Sequence, residues 1–136
     1  MARDLKAQRE EWFQHAEGDW IGAKHLYNMG DAPGTIGLLI QQGLEKYLKG
    51  YLLGEGWELI KTHNIELLLA EAARYDSRFE AFFTFGKAVT ALYSEERYPY
   101  SGSEDVPMER LRAMIETGEK VIGLVRGGSA FAEVNP

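Results

Sequence analysis

Residues 41–63, QQGLEKYLKGYLLGEGWELIKTH, decide the fold of this chain. With the residues just before them, they set Ile36, Leu39, Ile40, Gly43, Leu44, Tyr47, Leu48 and Tyr51 at i, i+3, i+4, i+7 spacing. That spacing lays them on one apolar face of an α-helix. Leu38, Gln42, Glu45 and Lys49 recur on the other side, with Lys46 beside them. Taken alone, that side reads as a solvated flank with local ion pairs, each contributing under about 1 kcal/mol. Gly54-Glu55-Gly56 ends the helix, since glycine reaches the left-handed conformation a helix C-terminus favours. The pattern predicts a helix from about Thr35 to Leu53.

Working outward, the same periodicity predicts a first helix from Asp4 to Met29. Leu5, Trp12, Phe13, Ala16, Trp20, Ala23 and Tyr27 line one side. Gly18 and Gly22 weaken it by up to about 1 kcal/mol each relative to alanine, and their small size would admit a close neighbouring helix. Gly30-Asp31-Ala32-Pro33-Gly34 reads as a turn. Thr62 or Asn64 caps a third helix that buries Ile65, Leu68, Leu69 and Ala72. Tyr75-Asp76-Ser77 is a break. A fourth helix, Arg78 to Tyr93, buries Phe79, Phe82, Phe83, Gly86, Val89 and Tyr93. Ser94 to Pro107 reads as a long irregular connection. The last helix, Met108 to Val125, turns Leu111, Ile115, Gly118, Ile122 and Val125 inward and ends at Gly127-Gly128. No segment alternates with period two, so no strand is expected. The fold class is therefore all-α, an up-and-down antiparallel bundle of about five helices. It forms one domain over residues 1–127, with a flexible tail expected over 128–136.

Composition is consistent with this. A chain of 136 residues, 45 % hydrophobic and 12 % aromatic, can bury one core. It has no cysteine, which excludes disulfides and thiolate metal sites. No apolar run approaches the ~20 residues that span a bilayer, and the charged N-terminus does not suit a secretory signal. No membrane association and a cytoplasmic location are the expectation. The net charge of −6 argues against broad, non-specific nucleic-acid binding. It leaves room for a local basic cleft built from Lys46, Lys49, Lys61, His63 and Arg97.

Four short motifs occur in order. They are Trp12, Ala16, Asp19 and Trp20; then Gln41, Gln42, Glu45, Lys46 and Lys49; then Lys61-Thr62-His63; then Arg97-Tyr98-Pro99. Together they resemble the HEPN family (higher eukaryotes and prokaryotes nucleotide-binding domain) over most of the chain. The resemblance implies a helical bundle, commonly packed as a homodimer. It also implies a nucleotide- or RNA-binding module. Small stand-alone members work with a minimal nucleotidyltransferase, as toxin–antitoxin modules or split nucleotidyltransferases. Many members are ribonucleases that carry Arg, four to six residues, then His on a late helix. Here no histidine follows His63, so that motif is absent and no catalytic residue is assigned. Arg9 and His15 match the spacing formally. On a helix, however, six residues of rotation set them about 120° apart, and they are not read as a pair.

The remaining candidates are anion ligands. Arg97 presents a planar fork suited to phosphate or carboxylate, and Tyr98 could stack a base. The plain alternative is that Pro99 stops a helix, Tyr98 packs on the bundle and Arg97 pairs with a glutamate. Lys61 and His63 lie at a helix start, where backbone N–H groups favour anions. Lys46 and Lys49 would supply field, or simply form a solvated or dimer-facing flank. His15, His25 and His63 are scattered, so no metal or other cofactor is expected. The surplus of aromatics, including Trp12, Tyr47, Phe82 and Tyr93, suits a core or a homodimer interface. Two other function classes stand beside the binding module. One is a metal-independent endoribonuclease using Arg97, His63 and Tyr98. The other is a structural or assembly subunit.

Overall fold

Asp4 opens the first helix. Its carboxylate accepts hydrogen bonds from the N–H groups of Lys6 and Ala7, both at 3.1 Å, satisfying donors that a helix start leaves orphaned. The computed structural model describes residues 4–59, 61–97 and 106–127, and for 93–97 the backbone alone. Helix α1 spans Leu5–Met29 and stops at Gly30, whose φ of 68° is left-handed. Phe13, Ala16, Trp20 and Ala23 form its buried face. Leu5, expected on that face, is 41 % exposed. Arg9 already meets the last turn of the next helix, so Leu5, one turn earlier, has little of that helix opposite it.

Helix α2 spans Pro33–Gly54. It starts inside the stretch read as a turn, because proline at the first helical position lacks only an N–H that needs no partner there. The left-handed residue after it is Gly56, at φ 96°. Helix α3 spans Ile65–Ala73. Of the two expected caps, Asn64 is the one that acts: its Oδ1 accepts from the N–H of Leu67 at 3.0 Å, whereas Thr62 Oγ1 accepts from the N–H of Asn64 itself at 3.1 Å, outside the helix.

The expected fourth helix divides in two. Asp76 accepts from the N–H of Arg78 at 3.0 Å and starts a tight 3-10 segment, Ser77–Phe82, which sinks Phe79 fully into the core. Helix α4 then spans Phe83–Arg97. Phe82 and Phe83 are half-buried rather than buried, and the side chain of Tyr93 lies outside the described residues. Ser94 to Arg97, expected in a loop, continue the helix, since no glycine or proline occurs before Pro99. Helix α5 spans Met108–Val125, as the periodicity indicates. The proposed tail, 128–136, lies outside the described residues.

Among the described residues there is no strand, and the chain is an all-α helical bundle. Its organisation is centred on α2, which packs against α1, α3, α4 and α5, whereas α1, among the described residues, meets only α2 and α5. The core joins Ile36, Ile40, Leu44 and Leu48 of α2 to Leu68 and Leu69 of α3, Val89 of α4 and Leu111 of α5, all fully buried.

Close helix approach rests on a glycine of α2, Gly50, that the sequence does not single out, while a Cβ at Gly22 would meet α2 only in ordinary contact, 3.4 Å from the Leu39 side chain. A Cβ at Gly50 would stand 2.8 Å from Cβ of Trp12 and 3.1 Å from the ring of Phe13. Trp12 Cβ is bonded directly to the α1 backbone and cannot swing away. At Gly18 nothing lies within 4 Å, so that glycine carries no close approach. Gly50→Ala should therefore lower stability by about 1–3 kcal/mol through overpacking, despite alanine's better helix propensity. Gly18→Ala should raise it by about 1 kcal/mol. Urea melts of the two variants check the pair of opposite signs.

Candidate functional site

Gln41, Glu45 and Lys49 lie four residues apart and so form one stripe along α2. The sequence reads the Glu45–Lys49 side as solvated. The structure reverses this: Gln41 is fully buried, Glu45 is 9 % exposed and Lys49 is 6 % exposed. Because α2 has helices around it, its polar side is covered as well, by the segment that leads into α3.

The stripe resolves into a hydrogen-bonded network around Glu45. Lys49 Nζ donates to Glu45 Oε2 at 2.7 Å. Gln41 Nε2 donates to Glu45 Oε1 at 3.1 Å and to the carbonyl of His63 at 3.0 Å. His63 Nδ1 lies 3.0 Å from Glu45 Oε1. Burial pushes the Glu45 carboxyl up, but the hydrogen bonds from Lys49, His63 and Gln41 outweigh it and hold its pKa below the ordinary glutamate range. Glu45 is thus an ionised acceptor at neutral pH, which assigns the Nδ1 proton to His63 as donor. The His63 side chain is 56 % exposed while Glu45 is 12 % exposed. A buried carboxylate therefore orients an imidazole at the surface, an arrangement that suits general acid–base work or anion binding. Among the described residues, the buried Gln41 Oε1 has no hydrogen-bond partner.

The other expected ligands are distributed differently. Lys46 points to α1 and donates to Asp19 Oδ2 at 2.7 Å. Lys61 is exposed beside His63. Arg97 closes α4, but its side chain, like the whole of Tyr98, lies outside the described residues. Lys49 and His63 do come together, on Glu45, whereas Lys46 belongs to a different face. The backbone donors expected to favour an anion at the start of α3 are largely taken. The N–H of Ile65 donates to Thr90 Oγ1 at 2.9 Å and that of Leu67 to Asn64.

Arg9 and His15 also separate. Arg9 Nη2 donates to the carbonyl of Tyr51 at 2.6 Å and pairs with Glu55 at 3.0 Å. This caps the C-terminal end of α2. His15 instead lines another cavity, of about 400 Å³, with Glu11, Trp12 and Lys46.

The sequence reading missed the burial of the stripe. Its one signal is that Gln41, Glu45 and Lys49 recur every four residues on a helix apolar over most of its remaining surface.

A bundle of this form, with its motifs in this order, matches a known class. The HEPN domain family model matches residues 9–128. The chain belongs to the HEPN domain family, a family of nucleotide- and RNA-binding modules. No curated protein and no solved structure matched the chain. Among the described residues, no helix is long and apolar enough to cross a membrane.

Two expectations follow from the network. Lys49→Met leaves Glu45 charged and buried without its main partner, a loss of about 3–5 kcal/mol. Adding Glu45→Leu removes both charges, so the double variant should be more stable than Lys49→Met alone; a double-mutant cycle from urea melts measures this. The second concerns pH. The Glu45 pKa is lower folded than unfolded, so the unfolded chain binds the extra proton first. The contribution of Glu45 is present above the unfolded glutamate pKa of about 4.3 and is lost as pH falls below it. Melting temperature should drop on acidification through that window, with a shallower slope in Glu45→Gln.

Proposed function

We propose that this chain is an RNA- or nucleotide-binding HEPN module that acts as a homodimer with a separate minimal nucleotidyltransferase, in a toxin–antitoxin-like pair. The observation that carries the reading is His63 held at the surface by buried Glu45, with exposed Lys61 two residues away. The charges of Lys46 and Lys49 are locally neutralised by Asp19 and Glu45. In this reading Lys49 shapes the site through Glu45 rather than contacting the ligand, and Lys46 stays with α1. Lys61 and His63 make the anion contacts, and Arg97 and Tyr98 of the late motif complete them. The absence of a histidine after His63 supports binding over the family's usual ribonuclease chemistry.

The Glu45–His63 pair also gives the endoribonuclease alternative a specific basis. A carboxylate-oriented imidazole is the group needed to take a proton from a 2′-hydroxyl.

A short single-stranded RNA, titrated by fluorescence anisotropy, should bind about tenfold more weakly to His63→Ala and to Lys61→Gln than to the unaltered protein, equivalent to ~1.4 kcal/mol. Equal binding by all three would reject the site. In the same samples, with chelator present, intact RNA supports the binding module. Cleavage that His63→Ala abolishes supports the enzyme instead. Sedimentation of the protein alone, and with the co-expressed nucleotidyltransferase, tests the dimer and the pair.

A further inference from the structure

A second cleft carries several cationic side chains, and it uses none of the residues around His63. The N-terminal part of α1, the last turn of α2, the start of the 3-10 segment and the end of α5 enclose an open cleft of about 440 Å³. That volume is within the range of small-molecule sites. Four cationic side chains line it, Lys6, Arg9, Arg78 and Arg126, with three carboxylates, Glu10, Glu55 and Asp76. This positive balance occurs in a chain of net charge −6.

The cations are not equivalent. Arg9 is committed to Glu55 and to the end of α2. Arg78 is held by both oxygens of Asp76, with Nε–Oδ1 at 3.0 Å and Nη2–Oδ2 at 2.7 Å. Lys6 has no carboxylate within ion-pair distance among the described residues, and the nearest to Arg126 is Glu17 at 3.9 Å. The Arg126 guanidinium is nonetheless fixed. It lies over the rings of Phe13 and Tyr47, at 5.4 and 5.3 Å from their centroids, and its Nη2 donates to the Tyr47 hydroxyl at 3.3 Å. A guanidinium held near two rings and bonded to a hydroxyl loses less freedom than an unrestrained one when its fork meets an oxyanion. Lys6 adds a mobile point charge at the same cleft. Glu10 is the one lining carboxylate that pairs with neither Arg9 nor Arg78, and it opposes an anion.

We propose that this cleft binds the phosphate groups of a small phosphorylated ligand, such as a mononucleotide, with Arg126 and Lys6 as the contacts and Glu10 as a brake on affinity. The site stands independently of how His63 is used.

Calorimetric titration of the full chain with inorganic pyrophosphate and with ATP at low salt tests it. Both should bind. Lys6→Gln and Arg126→Gln should each weaken binding about tenfold or more. Arg126→Lys should restore it only in part, because the planar fork is lost. Glu10→Gln should tighten it, an outcome that a purely structural role for these residues does not produce. His63→Ala should leave it in place. Lys6 and Glu10 are exposed on the first turns of α1, so their variants report even if Arg126→Gln fails to fold. Absence of binding by both probes overturns the proposal. So does an affinity that follows His63 but not Lys6 or Glu10, which would leave the RNA-binding reading standing. Cleft-dependent binding of pyrophosphate, with no RNA bound by the protein, would support this site and reject that reading.

Discussion

The burial of α2 on nearly every side is the constraint from which the rest of this structure follows. A helix at the centre of a bundle has no solvent face on which to put charge. Glu45 and Lys49 nevertheless sit on it, so each must be neutralised where it stands. Taking two ions out of water costs several kcal/mol apiece, and attraction offsets this only with good geometry and further hydrogen bonds. Lys49, Gln41 and His63 supply those bonds to Glu45. The network therefore does two jobs: it makes a charged central helix tolerable, and it pins the segment before α3 to the middle of α2.

The second job links packing to function. His63 is placed by the buried carboxylate it meets and by the backbone carbonyl that Gln41 holds. The rigid part of the site is thus inside the bundle, and only the imidazole and Lys61 reach outward. Thr90 adds a further restraint, accepting from the N–H of Ile65 while donating to the Gly86 carbonyl, so α3 starts at a fixed point on α4. Anchoring on helices rather than on a loop keeps such a group in one geometry.

Helix α1 shows the complementary solution. It lies at the edge, and arginines at the end of the bundle cover aromatic rings there. Arg9 lies over Tyr51 at 5.1 Å, and Arg126 lies over Phe13 and Tyr47. These rings are almost fully buried, yet the cations above them stay in contact with water, because arginine covers apolar surface while its charged head remains solvated. The result is a cleft both polar and firmly built.

The all-α class, the limits of α5 and one of the two offered caps of α3 were legible in the sequence, because 3.6-residue periodicity, Asn64 and the closing glycines act locally. The HEPN motifs were legible too, since they are short and occur in order. The division at Phe82 was not, because Asp76 and the burial of Phe79 set that tight turn. Nor was the place of Lys46 beside Asp19. Above all, periodicity gave Glu45 and Lys49 a polar side but not what would cover it. One helix alone contains no information on how many neighbours it will have. Tertiary packing surrounded α2, and that turned an apparent solvated flank into a buried ion pair that holds His63 in place.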